Sequence, residues 1–185
     1  QFTTMTQDLL SFAQGGEQMR LRSVQMAGYL QECCDSLILK FEERGISFVR
    51  DLHFDGEARI DNGRFFRVLE NIANNALDVL DTDGTFSVHS MEVETGIRII
   101  LEDDGFGMSD EVKENAFKEF YTHGKRKGTG LGLAIVKRIV DEHDGLINIE
   151  SEDGVGTKFI IDLPAVGYNL LPKSKHQIPI PFEGD

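Results

Sequence analysis

Glu102-Asp103-Asp104-Gly105-Phe106-Gly107 and, further along the same stretch, Gly128-Thr129-Gly130-Leu131-Gly132-Leu133-Ala134-Ile135-Val136 decide how this chain is read. The first cluster sets a carboxylate beside a Gly-x-Gly turn. The second runs straight into an apolar helix pattern. Glycines at a helix start let backbone N–H groups approach an anion closely, and the helix N-terminus favours negative charge. A carboxylate on one side and a phosphate cradle on the other suggest a nucleotide held between them.

The 185 residues fit one ordinary domain with some extra at the ends, and 40% apolar content is enough for a core. No apolar run approaches the roughly 20 residues that span a membrane. The opening Gln1-Phe2-Thr3-Thr4-Met5-Thr6 has neither an initiator Met nor a signal peptide, as expected of a piece of a longer protein. A net charge of −13 argues against nucleic acid as a partner. Cys33 and Cys34 are adjacent in a helical pattern. Disulfide scaffolds space their cysteines, so these read as a reduced, partly buried pair in a cytoplasmic protein whose parent can be membrane-anchored.

Phe2, Met5, Leu9 and Phe12 form an a/d seam that stops at Gly15-Gly16. It fits a helix docked on its own domain, or the tail of a longer dimer-forming hairpin. Residues 1–16 are read as the second. Arg20 to Val24 reads as a short strand and Met26 to Arg44 as a helix ended by Gly45. Ile46 to Leu52 alternates like a strand, and Ala58-Arg59-Ile60 is a candidate to pair with it. Asp61 reads as the N-cap of a long helix. Gly84 to Glu94 and Ile97 to Glu102 read as two strands joined at Glu94-Thr95-Gly96. Leu146 to Ser151 and Thr157 to Leu163 read as a further hairpin. All four prolines lie from Pro164 onward, so residues 165–185 are expected as an extended tail after a domain over 17–164.

On the helix from Phe65 to Leu80, Phe65, Leu69, Ile72, Ala73, Ala76 and Leu80 share one face. Arg64, Arg67, Asn71, Asn74, Asn75 and Asp78 share the other. Three asparagines in five residues is poor helix propensity. The face is either plain polar surface or a ligand face on which Asn71 and Asn75 stand one turn apart. An Asn carbonyl suits magnesium already carried on phosphates. Asp103 ends the apolar run Ile97-Arg98-Ile99-Ile100-Leu101, and a buried carboxylate there needs a donor. Adenine's amine is one candidate and a turn N–H the other. Gly105 and Gly107 would let a base lie against bare backbone. Met108 to Lys127, with Phe117, Phe120 and Tyr121 before Lys125-Arg126-Lys127, reads as a mobile lid whose basic end offsets triphosphate charge.

Other nucleotide motifs fail. Leu133 stands where Gly-x-Gly-x-x-Gly needs its last glycine, no Gly-Lys-Ser/Thr follows a glycine loop, and no His-Arg-Asp loop exists. The order that does exist is an asparagine helix, Asp-x-Gly-x-Gly, a phenylalanine segment, Gly-x-Gly-x-Gly and Gly154-Val155-Gly156-Thr157. It resembles the ATP-binding domain shared by gyrase, Hsp90, MutL and bacterial sensor histidine kinases. Phe65 to Ala76 resembles the N box of the histidine kinases, Phe117 to Phe120 their F box, and Gly128 to Val136 their second glycine box.

That resemblance implies an α/β two-layer sandwich, with a mixed, mostly antiparallel sheet covered on one face by helices. It implies Mg-ATP as the cofactor and phosphoryl transfer to a histidine on a dimerisation hairpin. A response regulator receiver domain would be the next partner, and the parent would be a homodimer through that hairpin. Asn75 would ligate magnesium. Asn71 and Lys125 would serve catalysis at the phosphates. Asp103 would hold the adenine amine with a water relayed to Thr157, beside Gly105 and Gly107. Gly128, Thr129, Gly130, Leu131, Gly132 and Leu133 would wrap the phosphates.

Two departures shape the expectation. The acceptor histidine with its acidic neighbour is absent, and His143-Asp144-Gly145 is only a look-alike at a helix end. The chain is therefore expected to bind ATP without phosphorylating itself. Hydrolytic cousins place a glutamate base where Asn71 stands, and Glu70 is the candidate substitute. The competing reading is a gyrase- or Hsp90-type module in which ATP drives a dimer clamp. A binding module that only senses ATP is the third.

Overall fold

The computed structural model describes residues 18–122 and 129–168. The expected N-terminal helix, Lys125, Gly128 and most of the expected tail lie outside the described residues.

Apolar residues on alternating strand positions and on single helix faces build a two-layer α+β sandwich. Strand β1 (Arg22–Gln25) leads into helix α1 (Met26–Glu42), then β2 (Ser47–Leu52) and β3 (Glu57–Ile60). Helix α2 (Asn62–Val79) carries the asparagines. It is followed by β4 (Thr85–Val93), β5 (Gly96–Asp103) and the short α3 (Asp110–Asn115). Helix α4 (Gly132–Glu142) begins in the second glycine cluster, and β6 (Leu146–Glu152) and β7 (Gly156–Pro164) close the fold. The main sheet runs β2-β4-β5-β7-β6, with β2 parallel to β4 and every other pair antiparallel.

Inward rows of Phe86 and Val88, Ile97, Ile99 and Leu101, and Phe159, Ile161 and Leu163 are buried beneath the helices. Phe41 of α1 stacks on Phe86 with ring centroids 4.8 Å apart, and Phe48 meets both. The opposite face of the sheet is closed by charge pairing. Arg98 grips Asp162 with two hydrogen bonds of 2.7 and 2.8 Å, and Lys158 lies 3.6 Å from Glu102. Burial is thus mainly one-sided, with Ile160 also buried on the charged face, and the strands read as alternation.

One expected pairing is wrong. β3 pairs with β1 in a separate two-stranded sheet, not with β2. β2 instead takes β4 as a parallel neighbour. Strand alternation says which face is buried but not which strand lies alongside. The first residues after β7 are docked: Ala165 bridges Ala58, the Val166 N–H donates to the Glu57 carbonyl at 2.7 Å, and Tyr168 donates to Glu92. Cys33 and Cys34 are free and buried, and burial pushes their thiols up to about 11 and about 12. Among the described residues, no helix is long and apolar enough to cross a membrane.

Candidate functional site

Three inward rows of the sheet end at the same edge in polar side chains. Leu101 gives way to Asp103 on β5, Phe159 to Thr157 on β7, and Ile149 to Ser151 on β6. Register sets Asp103 opposite Thr157, and Thr157 opposite Ser151. Directly opposed residues of antiparallel strands bring their side chains together. Asp103 is 6% exposed and Thr157 5%.

Burial pushes the Asp103 carboxyl up to about 6, opposed by a 3.1 Å hydrogen bond from the Gly105 N–H and raised further by Asp104. The buried carboxylate was legible in the sequence, and so was its turn donor. The backbone N–H groups of Gly105 and Thr157 both favour its charged form, and two donors do not exhaust the acceptor capacity of a carboxylate.

The glycines of the first cluster are required by the protein itself. Gly107 has φ +70°, and a Cβ there would sit 1.9 Å from the Glu152 carbonyl oxygen. A Cβ on Gly105 would meet Val79 of α2 at 2.8 Å and the Asp103 carboxylate at 2.9 Å. The Gly154 N–H donates to the Phe106 carbonyl at 2.7 Å. The β6–β7 turn is therefore clamped to the loop after Asp103.

Asp61 caps α2 by accepting from the Arg64 N–H at 3.2 Å, as the sequence predicts. The helix buries Phe65, Val68, Leu69, Ile72, Ala73, Ala76 and Leu77, and leaves Asn71, Asn74 and Asn75 half-buried on another side. Glu70 turns towards α1 and pairs with Lys40 at 3.1 Å. The second glycine cluster comes up to the asparagines: a Cβ on Gly132 would lie 3.4 Å from Asn71 Oδ1. Gly130, at φ +69°, packs against the backbone of Phe120. Leu131 is buried, Leu133 packs partly against the core, and the Leu131 N–H donates to Thr129 Oγ1 at 3.3 Å.

Gln25, Asp61 and Ser109 cap α1, α2 and α3 with side chains. Among the described residues no side chain caps α4. Its first N–H groups stand at the glycine cluster beside Asn71, a setting that suits an anion.

The front half of the expected lid is fastened. The Met108 N–H donates to Ser151 Oγ at 2.8 Å, Lys113 Nζ to the Ser151 carbonyl at 2.9 Å, and Phe117 packs on the core. Phe120 is 63% exposed at φ +61°. His143 is 3% exposed, with Nε2 accepting from the Asp61 N–H at 2.9 Å and Nδ1 2.7 Å from the Ile139 carbonyl. Both ring nitrogens are engaged, so this look-alike is a strut between α2 and α4.

Ser151 was missed in the sequence. The signal existed: Ile147, Ile149 and Ser151 alternate, so the inward row of β6 ends in a hydroxyl.

The family described as histidine kinase-, DNA gyrase B-, and HSP90-like ATPase matches residues 60–167. Sensor histidine kinase ZraS of Escherichia coli O157:H7 is 37% identical over 108 residues, covering 58% of this chain and 23% of its own. Sensor histidine kinase WalK of Bacillus subtilis (strain 168) is 38% identical over 141 residues, covering 70% of this chain and 23% of its own. The chain thus spans under a quarter of these curated relatives. The solved catalytic domain of histidine kinase ThkA superposes with a TM-score of 0.71 at 29% identity, over 79% of this chain and 96% of that one. Full-length ShkA in complex with AMPPNP superposes with a TM-score of 0.77 at 25% identity, over 88% of this chain and 35% of that one.

Proposed function

The chain belongs to the histidine kinase-, DNA gyrase B- and HSP90-like ATPase family, with the ATP-binding catalytic fold of the histidine kinases, and we propose that it serves a sensor kinase. In that reading it passes the γ-phosphoryl of Mg-ATP to a histidine on a dimerisation hairpin, for relay to a response regulator. The parent works as a homodimer. One observation carries the reading: Gly132, at the start of α4, lies against the Asn71 carboxamide. Phosphate cradle and asparagine face therefore meet at one place.

Asp103 accepts the adenine amine, with Thr157 beside it and Gly105 and Gly107 shaping the loop. The first N–H groups of α4, with Gly128 to Leu133, hold the phosphates. Among the described residues no cluster of His, Cys, Asp and Glu could cage a metal. That donor set suits magnesium that arrives on the phosphates and takes one neutral oxygen, from Asn75. Magnesium held there would supply charge neutralisation at the phosphates. Asn71 orients the phosphates, and Lys125 neutralises charge on the group in transfer. Phosphoryl transfer is chiefly positioning and electrostatics, so a site without a strong base suffices. Glu70 pairs with Lys40 on the α1 side, which speaks against it as that base.

The test uses labelled ATP with the chain alone, and with a separately purified phosphotransfer hairpin. Acid-labile label should appear on the hairpin's histidine only. Such label on this chain alone would contradict the reading. Steady phosphate release by the chain alone would favour the gyrase- or Hsp90-type clamp.

A further inference from the structure

Ser151 Oγ makes three hydrogen bonds, and counting its one proton fixes the direction of all of them. It lies 2.7 Å from the Gly156 carbonyl, which can only accept, so the serine proton goes there. The Met108 N–H donates to the same oxygen at 2.8 Å and takes one lone pair. Thr157 Oγ1 is 3.0 Å away. With the serine proton committed, Thr157 must be the donor in that contact. The Thr157 hydroxyl then has no proton left, and both its lone pairs face elsewhere. Its strand neighbour Asp103, once ionised, is also a pure acceptor.

We infer that Ser151 is a positioning residue that makes Thr157 an acceptor, so that Asp103 and Thr157 together select a 6-aminopurine over a 6-oxopurine. This rests on the nucleotide reading above. Adenine presents an amine donor at position 6 and an acceptor at N1. Hypoxanthine and guanine present a carbonyl at position 6 and an N–H at N1. Two acceptors side by side match the amine and oppose the carbonyl. A site built for one hydrogen-bond pattern rejects the opposite one because its buried groups are left unpaired. Removing the serine hydroxyl frees the threonine proton to turn towards the base, and the preference weakens.

The test is the ratio of ATP to ITP affinity, measured by calorimetry with magnesium on the full chain. Ser151→Ala should narrow the ratio by about tenfold, the equivalent of one net hydrogen bond. Ser151→Thr, which keeps a hydroxyl, should restore it. Thr157→Val should narrow it in the wild-type background and add nothing in the Ser151→Ala background. Thr157→Ser should leave it unchanged, and these variants decide the matter should Ser151→Ala fold poorly. Equal losses for ATP and ITP in Ser151→Ala, or an unchanged ratio in Thr157→Val, would overturn the inference. The nucleotide reading fails differently, by wild-type chain that binds neither nucleotide or by an Asp103→Asn variant that binds ATP normally.

Discussion

Asp103 is a buried carboxylate kept at a cost to the fold. Its pKa of about 6 lies above the unfolded value of 3.8, so the folded state resists its ionisation. Below about pH 4 both states hold the proton and the penalty is absent; as pH rises through 6 the penalty appears in full. Asp103→Asn should therefore stabilise the ligand-free chain at pH 7 by about 1–3 kcal/mol, and the gain should vanish near pH 4. Denaturant unfolding of both proteins across that range checks this. In the proposed site the ionised carboxylate accepts the adenine amine, so wild-type affinity should fall as pH drops through about 6. Gly107 is constrained by geometry. Gly107→Ala puts a Cβ on a rigid carbonyl at a left-handed φ, and thermal unfolding should report a loss of about 2–3 kcal/mol.

Elements meet here through a few side chains rather than through broad packing alone. His143, near the end of α4, accepts from the backbone of the residue that caps α2, and its ring packs on Phe65 at 5.7 Å. Burial lowers its pKa below 6.5, so the stability it supplies is complete above about pH 6.5 and is lost as pH falls below. His143→Ala should cost about 2–4 kcal/mol at neutral pH, with a smaller difference from wild type in acid, as urea melts would show. The one-sided strands, the capped asparagine helix and the buried Asp103 were legible because each leaves a period or a turn signal in the sequence. The partner of Ala58-Arg59-Ile60 was not, since strand pairing is a long-range choice that alternation leaves open. The cause of Gly107 was hidden for the same reason: the group it must avoid lies on a strand far along the chain. Ser151 sat in plain alternation, but a serine at a strand end gains meaning only beside Thr157 and Met108.

At the scale of the whole molecule, the loop after the sheet's polar edge packs against Val79 at the end of α2, and the start of α4 lies against Asn71 of the same helix. Fold and site are one arrangement, because the rows that build the core end in the groups proposed to read the base. In the proposed reading this chain is the nucleotide-holding half of a two-part enzyme, so phosphotransfer should require a hairpin added in trans. Asp103 is the residue on which the proposed site depends most directly. Calorimetric titration of Mg-ATP into wild-type chain and Asp103→Asn at neutral pH should show binding to the first. It should show a loss of at least about 10- to 150-fold in the second, the worth of one charged hydrogen bond of about 1.5–3 kcal/mol. Equal affinity in the two proteins would contradict the assignment of the site.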